Sequence, residues 1–142
     1  MEKYLKANEV VCGDYILADT PLGSGRVMVT AAHGEHVMAI AEGGIIVHLM
    51  EGMMKPIELS DTLFSENGFT GGDGCYALAG PFGVNVAEVR RDGDVWYVSF
   101  ADMPEARGVR YVHEFQHFLK EVGWERMVIV SASPFQVNLP KH

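Results

Sequence analysis

Short runs of β-branched and apolar residues, each closed by a tight turn that contains glycine, fill the first third of the chain. Runs of this length between turns are typical of strands in a small antiparallel sheet. Four such runs in about fifty residues predict a curled sheet or an SH3-like β-barrel over residues 1–55. The predicted strands cover residues 10–18, 26–32, 36–40 and 45–50, with turns at 21–25, 34–35 and 43–44.

A second unit is predicted over residues 56–142, because Pro56 interrupts the strand pattern. Ser60 can cap a short helix that ends at Asn67-Gly68. The glycine-rich residues 71–74 are predicted as a flexible connection, and Asp92-Gly93 predicts a hairpin turn. The order predicts an α+β unit: a helix, a three-stranded antiparallel meander, a long helix and a final strand. The predicted helices cover residues 61–66 and 108–122, and the predicted strands cover residues 75–79, 84–89, 95–100 and 127–131.

The long predicted helix has an apolar stripe, because its hydrophobic residues recur every three or four positions. At roughly 100° per residue, His113 and His117 lie side by side on the face opposite that stripe. Arg110 and Lys120 are their neighbours there, so we expect both histidines on the solvent-exposed face. The stripe comprises Val109, Val112, Phe115, Leu119 and Val122.

Residues 113–117 have the sequence His-Glu-Phe-Gln-His, which matches the zinc-binding pattern of many metallohydrolases. In that interpretation His113 and His117 bind zinc, and Glu114 is the general base that activates a water molecule. A catalytic zinc needs a third protein ligand, and the sequence offers no obvious one. Arg110 and Lys120 also flank the motif and raise the free energy of a bound dication. We therefore favour a solvated helix face with neither metal nor catalytic residues, and keep a zinc-dependent hydrolase as the alternative.

The two cysteines, Cys12 and Cys75, lack the spacing of metal ligands and are typical of free thiols in a reducing cytoplasm. Cys75 precedes several histidines and Asn138, which is the residue order of papain-like proteases. The nucleophile of such an enzyme normally opens a helix, whereas Cys75 opens a predicted strand. We therefore expect Cys75 to be a buried structural thiol.

The charge of −8 is spread along the chain, with −3 in residues 1–56 and −5 in residues 57–142. Neither half has the basic patch that gives affinity for nucleic acid. No apolar run approaches the ~20 residues of a membrane span. Residues 1–6 are charged and are not followed by the apolar stretch of a secretory signal. We therefore expect a cytoplasmic protein that binds neither nucleic acid nor membrane.

Three segments carry short motifs in a fixed order: residues 12–17, residues 55–60 running to residues 66–69, and residues 111–117. They resemble the G-[DN]-x-V opening, the P-I-x-L-[ST]…G-F hinge and the Y-V-H-x-L-Q helix of one family. It comprises short uncharacterised proteins of gut bacteria and their phages or mobile elements. The resemblance implies no known activity. It also implies relatives with Gln at the position of Glu114 and Asn at that of His117, which could not use zinc chemistry.

The function expected from these observations is that of a small intracellular binding or accessory module from a phage or mobile element. Its partner is expected to be a protein or peptide, and no cofactor is expected; the oligomeric state is left open. Tyr4, Tyr15 and the methionine-rich segment 50–54 are candidate docking residues, because methionine adapts to varied surfaces. For the segment 50–54 itself, packing between the two units is the favoured role and docking is the alternative.

Overall fold

The computed structural model describes residues 4–103, 105–123 and 128–138, which fall into two units. Unit 1 comprises the described residues up to Ile57 together with those from Ser131 onward, and unit 2 spans Glu58–Val130. The chain therefore leaves unit 1 and later returns to it. The sequence predicted one boundary, after residue 55, which lies two residues from the first of these two crossings.

Unit 1 is a six-stranded antiparallel sheet. Its strands, numbered along the whole chain, are β1 (Tyr15–Asp19), β2 (Gly23–His33), β3 (His36–Ala41), β4 (Ile45–Leu49), β5 (Met54–Lys55) and β11 (Gln136–Val137). The first five follow the spatial order β4-β3-β2-β1-β5, and β11 pairs with β2. The long strand β2 shifts register against β3 between Val29 and Ala31. Such a bulge bends the strand in which it lies.

The sheet of unit 1 is open. In the described part of the chain, β4 and β5 are the two ends of the pairing path and do not pair with each other. The predicted antiparallel sheet is present, whereas its curled form and its closure into an SH3-like barrel stay predictions.

The first predicted strand, residues 10–18, was placed too early. A single 3₁₀ turn covers Ala7–Glu9, and β1 begins only at Tyr15. The buried side chain of Asp14 explains the delay, because its Oδ2 accepts a hydrogen bond from the backbone N–H of Val11 at 2.9 Å. That local bond holds residues 11–14 in a turn, in which the backbone N–H of Gly13 and C=O of Asp14 still bond to Val29 of β2.

The core of unit 1 lies on one face of the sheet, because successive side chains of a strand point to opposite faces. In β3, for example, Val37, Ala39 and Ala41 are buried and Met38 is exposed. The core comprises Leu5, Val10, Ile16, Ala18, Val27, Val29, Val37, Ala39, Ala41, Val47, Leu49 and Met54.

Unit 2 contains a five-stranded antiparallel meander and two α-helices. Its strands are β6 (Thr70–Gly72), β7 (Cys75–Ala79), β8 (Asn85–Asp92), β9 (Val95–Phe100) and β10 (Arg107–Val109), and each pairs with the next along the chain. The three predicted strands are present as β7, β8 and β9. The segment predicted as a flexible connection instead supplies part of β6 and a two-residue turn. Asp73 (φ 53°) and Gly74 (φ 76°) are both left-handed, as that type of hairpin turn requires.

The first helix, α1 (Asp61–Glu66), has the predicted bounds. The hydroxyl of Ser60 accepts a hydrogen bond from the N–H of Leu63 at 3.2 Å, which satisfies one of the unpaired N–H groups of the first turn. The helix directs Phe64 into an aromatic core, where its ring centroid lies 4.7 Å from that of Trp96 and 5.6 Å from that of Phe115.

The second helix, α2 (Val112–Glu121), is shorter than the predicted helix over residues 108–122. Residues 107–109 form β10 instead, and Val109 lies directly opposite the buried Trp96 of β9. Val109 is a buried apolar residue, as are the core-facing residues of α2. The apolar spacing therefore continues from the strand into the helix and does not show where one ends and the other begins. Phe115, Phe118 and Leu119 form the buried face of α2, together with Val112.

The predicted final strand, residues 127–131, is not formed at residues 128–131, and Met127 lies outside the described residues. Residues 128–130 are instead held by Asn67, whose Oδ1 accepts from the N–H of Ile129 at 2.7 Å and whose Nδ2 donates to the carbonyl of Ile129 at 2.8 Å. The last strand is β11, which pairs with β2 in unit 1. The predicted α+β class agrees with the structure, which is mostly β-strand with the helices α1 and α2.

Candidate functional site

Glu114, the general base of the zinc interpretation, has a structural role at the start of α2. Its Oε1 accepts hydrogen bonds from the backbone N–H groups of Arg110, at 2.9 Å, and Tyr111, at 3.1 Å. Tyr111 is the N-cap residue of α2 and Glu114 is the third residue of the helix, so this is the acidic half of a capping box. The carboxylate is therefore directed back along its own helix.

His113 is buried, which corrects the prediction that both histidines lie on the solvent-exposed face; His117 is half-buried. The ring of His113 stacks on that of Tyr111, with centroids 6.0 Å apart and 11° between the planes. Its centroid lies 5.6 Å from that of His117, with the rings nearly perpendicular. Because α2 begins at Val112, His113 lies in its first turn, next to the N-cap residue Tyr111.

The motif brings two imidazoles together, and a metal site needs more ligands than these. Within the described ranges, no group of three or more His, Cys, Asp or Glu residues is arranged to hold a metal ion. His113 and His117 would be the ligands of the zinc alternative, and Glu114 would have to give up its hydrogen bonds at the start of the helix to serve it.

The open face of the unit 2 sheet carries a groove of about 450 Å³. Strand alternation produces it: Tyr76, Val89, Trp96 and Val98 turn their side chains to the core, and the residues between them turn to the other face. Most of the side chains on that outer face are polar. The groove is lined by Thr70, Cys75, Tyr76, Ala77, Glu88, Val89, Arg90, Tyr97, Ser99 and Ala106.

Two cross-strand rows form the floor of the groove. In one row Arg90 pairs directly with Cys75 of β7 and with Tyr97 of β9. In the other, Glu88 lies between Ala77 and Ser99. Directly paired side chains have their Cβ atoms about 5 Å apart, so the guanidinium, thiol and phenol groups are neighbours.

Gly108 of β10 positions the aromatic side chain of this row. It pairs directly with Tyr97, and a Cβ atom at position 108 would lie 3.3 Å from Cε1 of the tyrosine ring. That distance is tighter than ordinary van der Waals contact, so the ring lies over the glycine and occupies the space of its missing side chain. Tyr97 is still exposed on its groove side.

Arg90 differs from the other described arginines in its charge environment. Arg26, Arg91, Arg107 and Arg110 each have a carboxylate oxygen within 4 Å. In the part of the chain that the structure describes, Arg90 has no such ion pair. Its guanidinium therefore keeps five hydrogen-bond donors for a molecule in the groove.

Cys75 is exposed and lines the groove, which corrects the prediction of a buried structural thiol; Cys12 and Cys75 are not joined by a disulfide. The sequence prediction missed the groove as a whole. Its signal is the alternation of polar residues in β8 and β9 with the core residues of the same strands, and that signal shows only after the strands are paired.

The predicted docking residues differ in how far they are buried in unit 1. Met54 is fully buried in the core and Met53 packs against it, so only the first part of segment 50–54 is a surface. Tyr4 is partly exposed, with the ammonium of Lys55 lying 5.3 Å from its ring centroid. Tyr15 is half-buried on the outer face of β1.

Among the described residues, neither α1 nor α2 is long and apolar enough to cross a membrane. Comparisons of the chain with protein-family models, with curated proteins and with solved structures found no match. The resemblance to the gut-bacterial and phage family therefore stays a prediction.

Proposed function

We propose that the protein is a binding module whose unit 2 groove holds a short extended segment of a protein partner, with a carboxylate of that segment on Arg90. The observation that carries the proposal is Arg90, which lines the groove and has no ion pair with any described residue. A guanidinium matches a carboxylate through two parallel hydrogen bonds, and such pairs are among the stronger polar contacts of proteins.

The dimensions of the groove favour an extended peptide. It crosses the strands from Thr70 on β6 to Tyr97 on β9, and four adjacent strands span about 14 Å. That length corresponds to about four residues of extended chain. Tyr97 offers an aromatic surface for an apolar side chain, and Glu88 offers an acceptor for a donor of the bound segment.

A non-catalytic role is favoured by the position of Glu114, whose carboxylate already accepts two backbone N–H groups. The zinc-dependent hydrolase on His113 and His117 is the alternative that metal analysis tests. Three further expectations are part of the same proposal. They are an SH3-like form of unit 1, a cytoplasmic location and an origin in a phage or mobile element.

The experiment is selection of binders from a display library of short random peptides on three purified proteins. These are the wild type, Arg90→Gln, and the matched control Arg110→Gln, which removes the same charge outside the groove. We expect Asp or Glu to be enriched among the selected peptides, and their affinity to fall about tenfold or more on Arg90→Gln and to stay unchanged on Arg110→Gln.

Two results would overturn the proposal. One is a set of selected peptides that binds Arg90→Gln as tightly as the wild type. The other is near-stoichiometric zinc in protein purified without chelator, combined with loss of that zinc in a variant that carries His113→Ala and His117→Ala.

A further inference from the structure

Strand β4 is an exposed edge of the unit 1 sheet. It lies at one end of the pairing path, and in the described part of the chain no strand pairs with its other side. Edge strands usually carry a charged residue, a proline or a bulge, because an unprotected edge recruits further strands. Residues 45–49, Ile-Ile-Val-His-Leu, contain no Lys, Arg, Asp, Glu or Pro, and pair with β3 without a register shift.

The register shows which backbone groups of β4 face outward. His33 and His36 close the two-residue turn between β2 and β3, so they are a hydrogen-bonded pair. Along β3 the direction of the N–H and C=O groups alternates, so residues 37, 39 and 41 bond to β4, at residues 49, 47 and 45. Ile46 and His48 therefore direct their N–H and C=O groups away from the sheet.

The side chains beside these groups form an apolar surface. Ile46 is 59% exposed and lies opposite Ile40, while the exposed His48 lies opposite Met38, which is 38% exposed. A strand added to this edge would place alternate side chains against Ile46 and His48 on the outer face of the sheet. Edge recognition of this kind takes its affinity from the backbone and its specificity from alternate side chains.

Both ends of β4 are acidic. Glu42, in the turn before it, has an exposed carboxylate that also pairs with Arg26 at 3.3 Å. Glu51, in the turn after it, shares a cavity of about 200 Å³ with Glu35 and Lys6, so two carboxylates share that cavity with one ammonium. A second copy of this strand, paired antiparallel about Val47, would place Glu51 diagonally next to Glu42 of that copy at each end of the ladder. Like charges so placed disfavour pairing, and the charge of −8 on each copy adds to the repulsion.

We propose that β4 binds, by strand addition, an extended peptide segment that has β-branched residues at its centre and Lys or Arg at both ends. This site lies in unit 1 and is a second binding surface, independent of the groove in unit 2. Its occupant is defined by the two outward-facing pairs of backbone groups, the exposed Ile46 and the acidic ends.

The experiment uses synthetic peptides as probes and the full chain as receptor. The test peptide is acetyl-Lys-Val-Thr-Val-Thr-Val-Lys-amide. One control replaces both lysines by glutamate, and a second carries N-methyl groups on alternate valines, which removes backbone donors and keeps the side chains. The measurements are peptide affinity and amide hydrogen exchange at Ile46 and His48.

We expect the test peptide to slow exchange at Ile46 and His48 by about tenfold or more, and both controls to bind about tenfold more weakly. Glu51→Gln should weaken the test peptide, whereas Glu105→Gln, an exposed change in unit 2, should not. Equal binding of the N-methylated peptide would overturn strand addition. Concentration-dependent protection of the two amides without any peptide, together with a dimer in sedimentation, would assign the edge to a second copy and overturn the proposal as well. If the test peptide binds Arg90→Gln as tightly as the wild type, its site is independent of the groove in unit 2.

Discussion

Replacing Glu114 tests whether this residue caps α2 or serves a reaction. The variant Glu114→Ala removes the acceptor for the backbone N–H groups of Arg110 and Tyr111. Glu114→Gln keeps an oxygen acceptor of the same reach and loses only the charge. A cap needs the acceptor, whereas a general base needs the ionisable carboxylate, so the two variants separate the two roles.

The expected magnitude follows from the two bonds. The Arg110 N–H is exposed and the Tyr111 N–H is partly buried, so water replaces part of what Glu114→Ala removes. Losing such a cap costs about 1–2 kcal/mol. For Glu114→Gln the loss is the interaction of one negative charge with the helix N-terminus, about 0.5 kcal/mol. Glu121→Ala, at the opposite end of the same helix, is the matched control and should change stability by less than about 0.5 kcal/mol.

The assay is urea unfolding followed by tryptophan fluorescence, since Trp96 is buried in the core of unit 2. A loss of 1–2 kcal/mol lowers the unfolding midpoint by about 0.5–1 M urea for a unit of this size. If Glu114→Ala is as stable as Glu121→Ala, or if Glu114→Gln loses as much as Glu114→Ala, the capping argument fails.

Three further changes test other parts of unit 2, each by the same unfolding measurement. Asn67→Ala should lower the free energy of unfolding by about 2–4 kcal/mol, because it leaves the N–H and C=O of Ile129 without their buried partners. A decrease no larger than that of a surface substitution would contradict this. Gly93→Val should cost at least about 1–2 kcal/mol more than Asp92→Asn, because Gly93 has φ 64°, and equal effects would count against the turn. Phe82→Gly should raise stability by about 1 kcal/mol, because Phe82 is fully exposed at φ 65°; a loss would show that the ring makes a contact in solution.

The elements predicted well from the sequence are those that local chemistry determines. The bounds of α1 follow from Ser60 at one end and Asn67-Gly68 at the other, and both signals act within one helical turn. The turn at Gly93 is equally local, since the two strands that it joins are adjacent in sequence. Such features depend little on the rest of the fold.

The predictions that failed depend on contacts between distant residues. A helical wheel predicts His113 on the surface because it considers only the residues of the helix, whereas His113 is buried and stacks on the ring of Tyr111, which precedes α2. In the structure residues 107–109 pair with β9, and no local pattern separates that strand from the helix after it. The groove was missed for the same reason, because Cys75, Arg90 and Tyr97 become neighbours only through the pairing of three strands.

The return of the chain to unit 1 has a consequence for the order in which the protein is completed during synthesis. β11 pairs with β2 at Ser24 and Gly23, more than a hundred positions earlier in the chain. The fit there is close: a side chain at Gly25 would collide with the carbonyl of Pro134 and one at Gly23 with that of Gln136. Until the ribosome has released that last segment, this edge of β2 is uncovered, and a nascent chain held at residue 130 carries an exposed strand edge that the finished protein lacks.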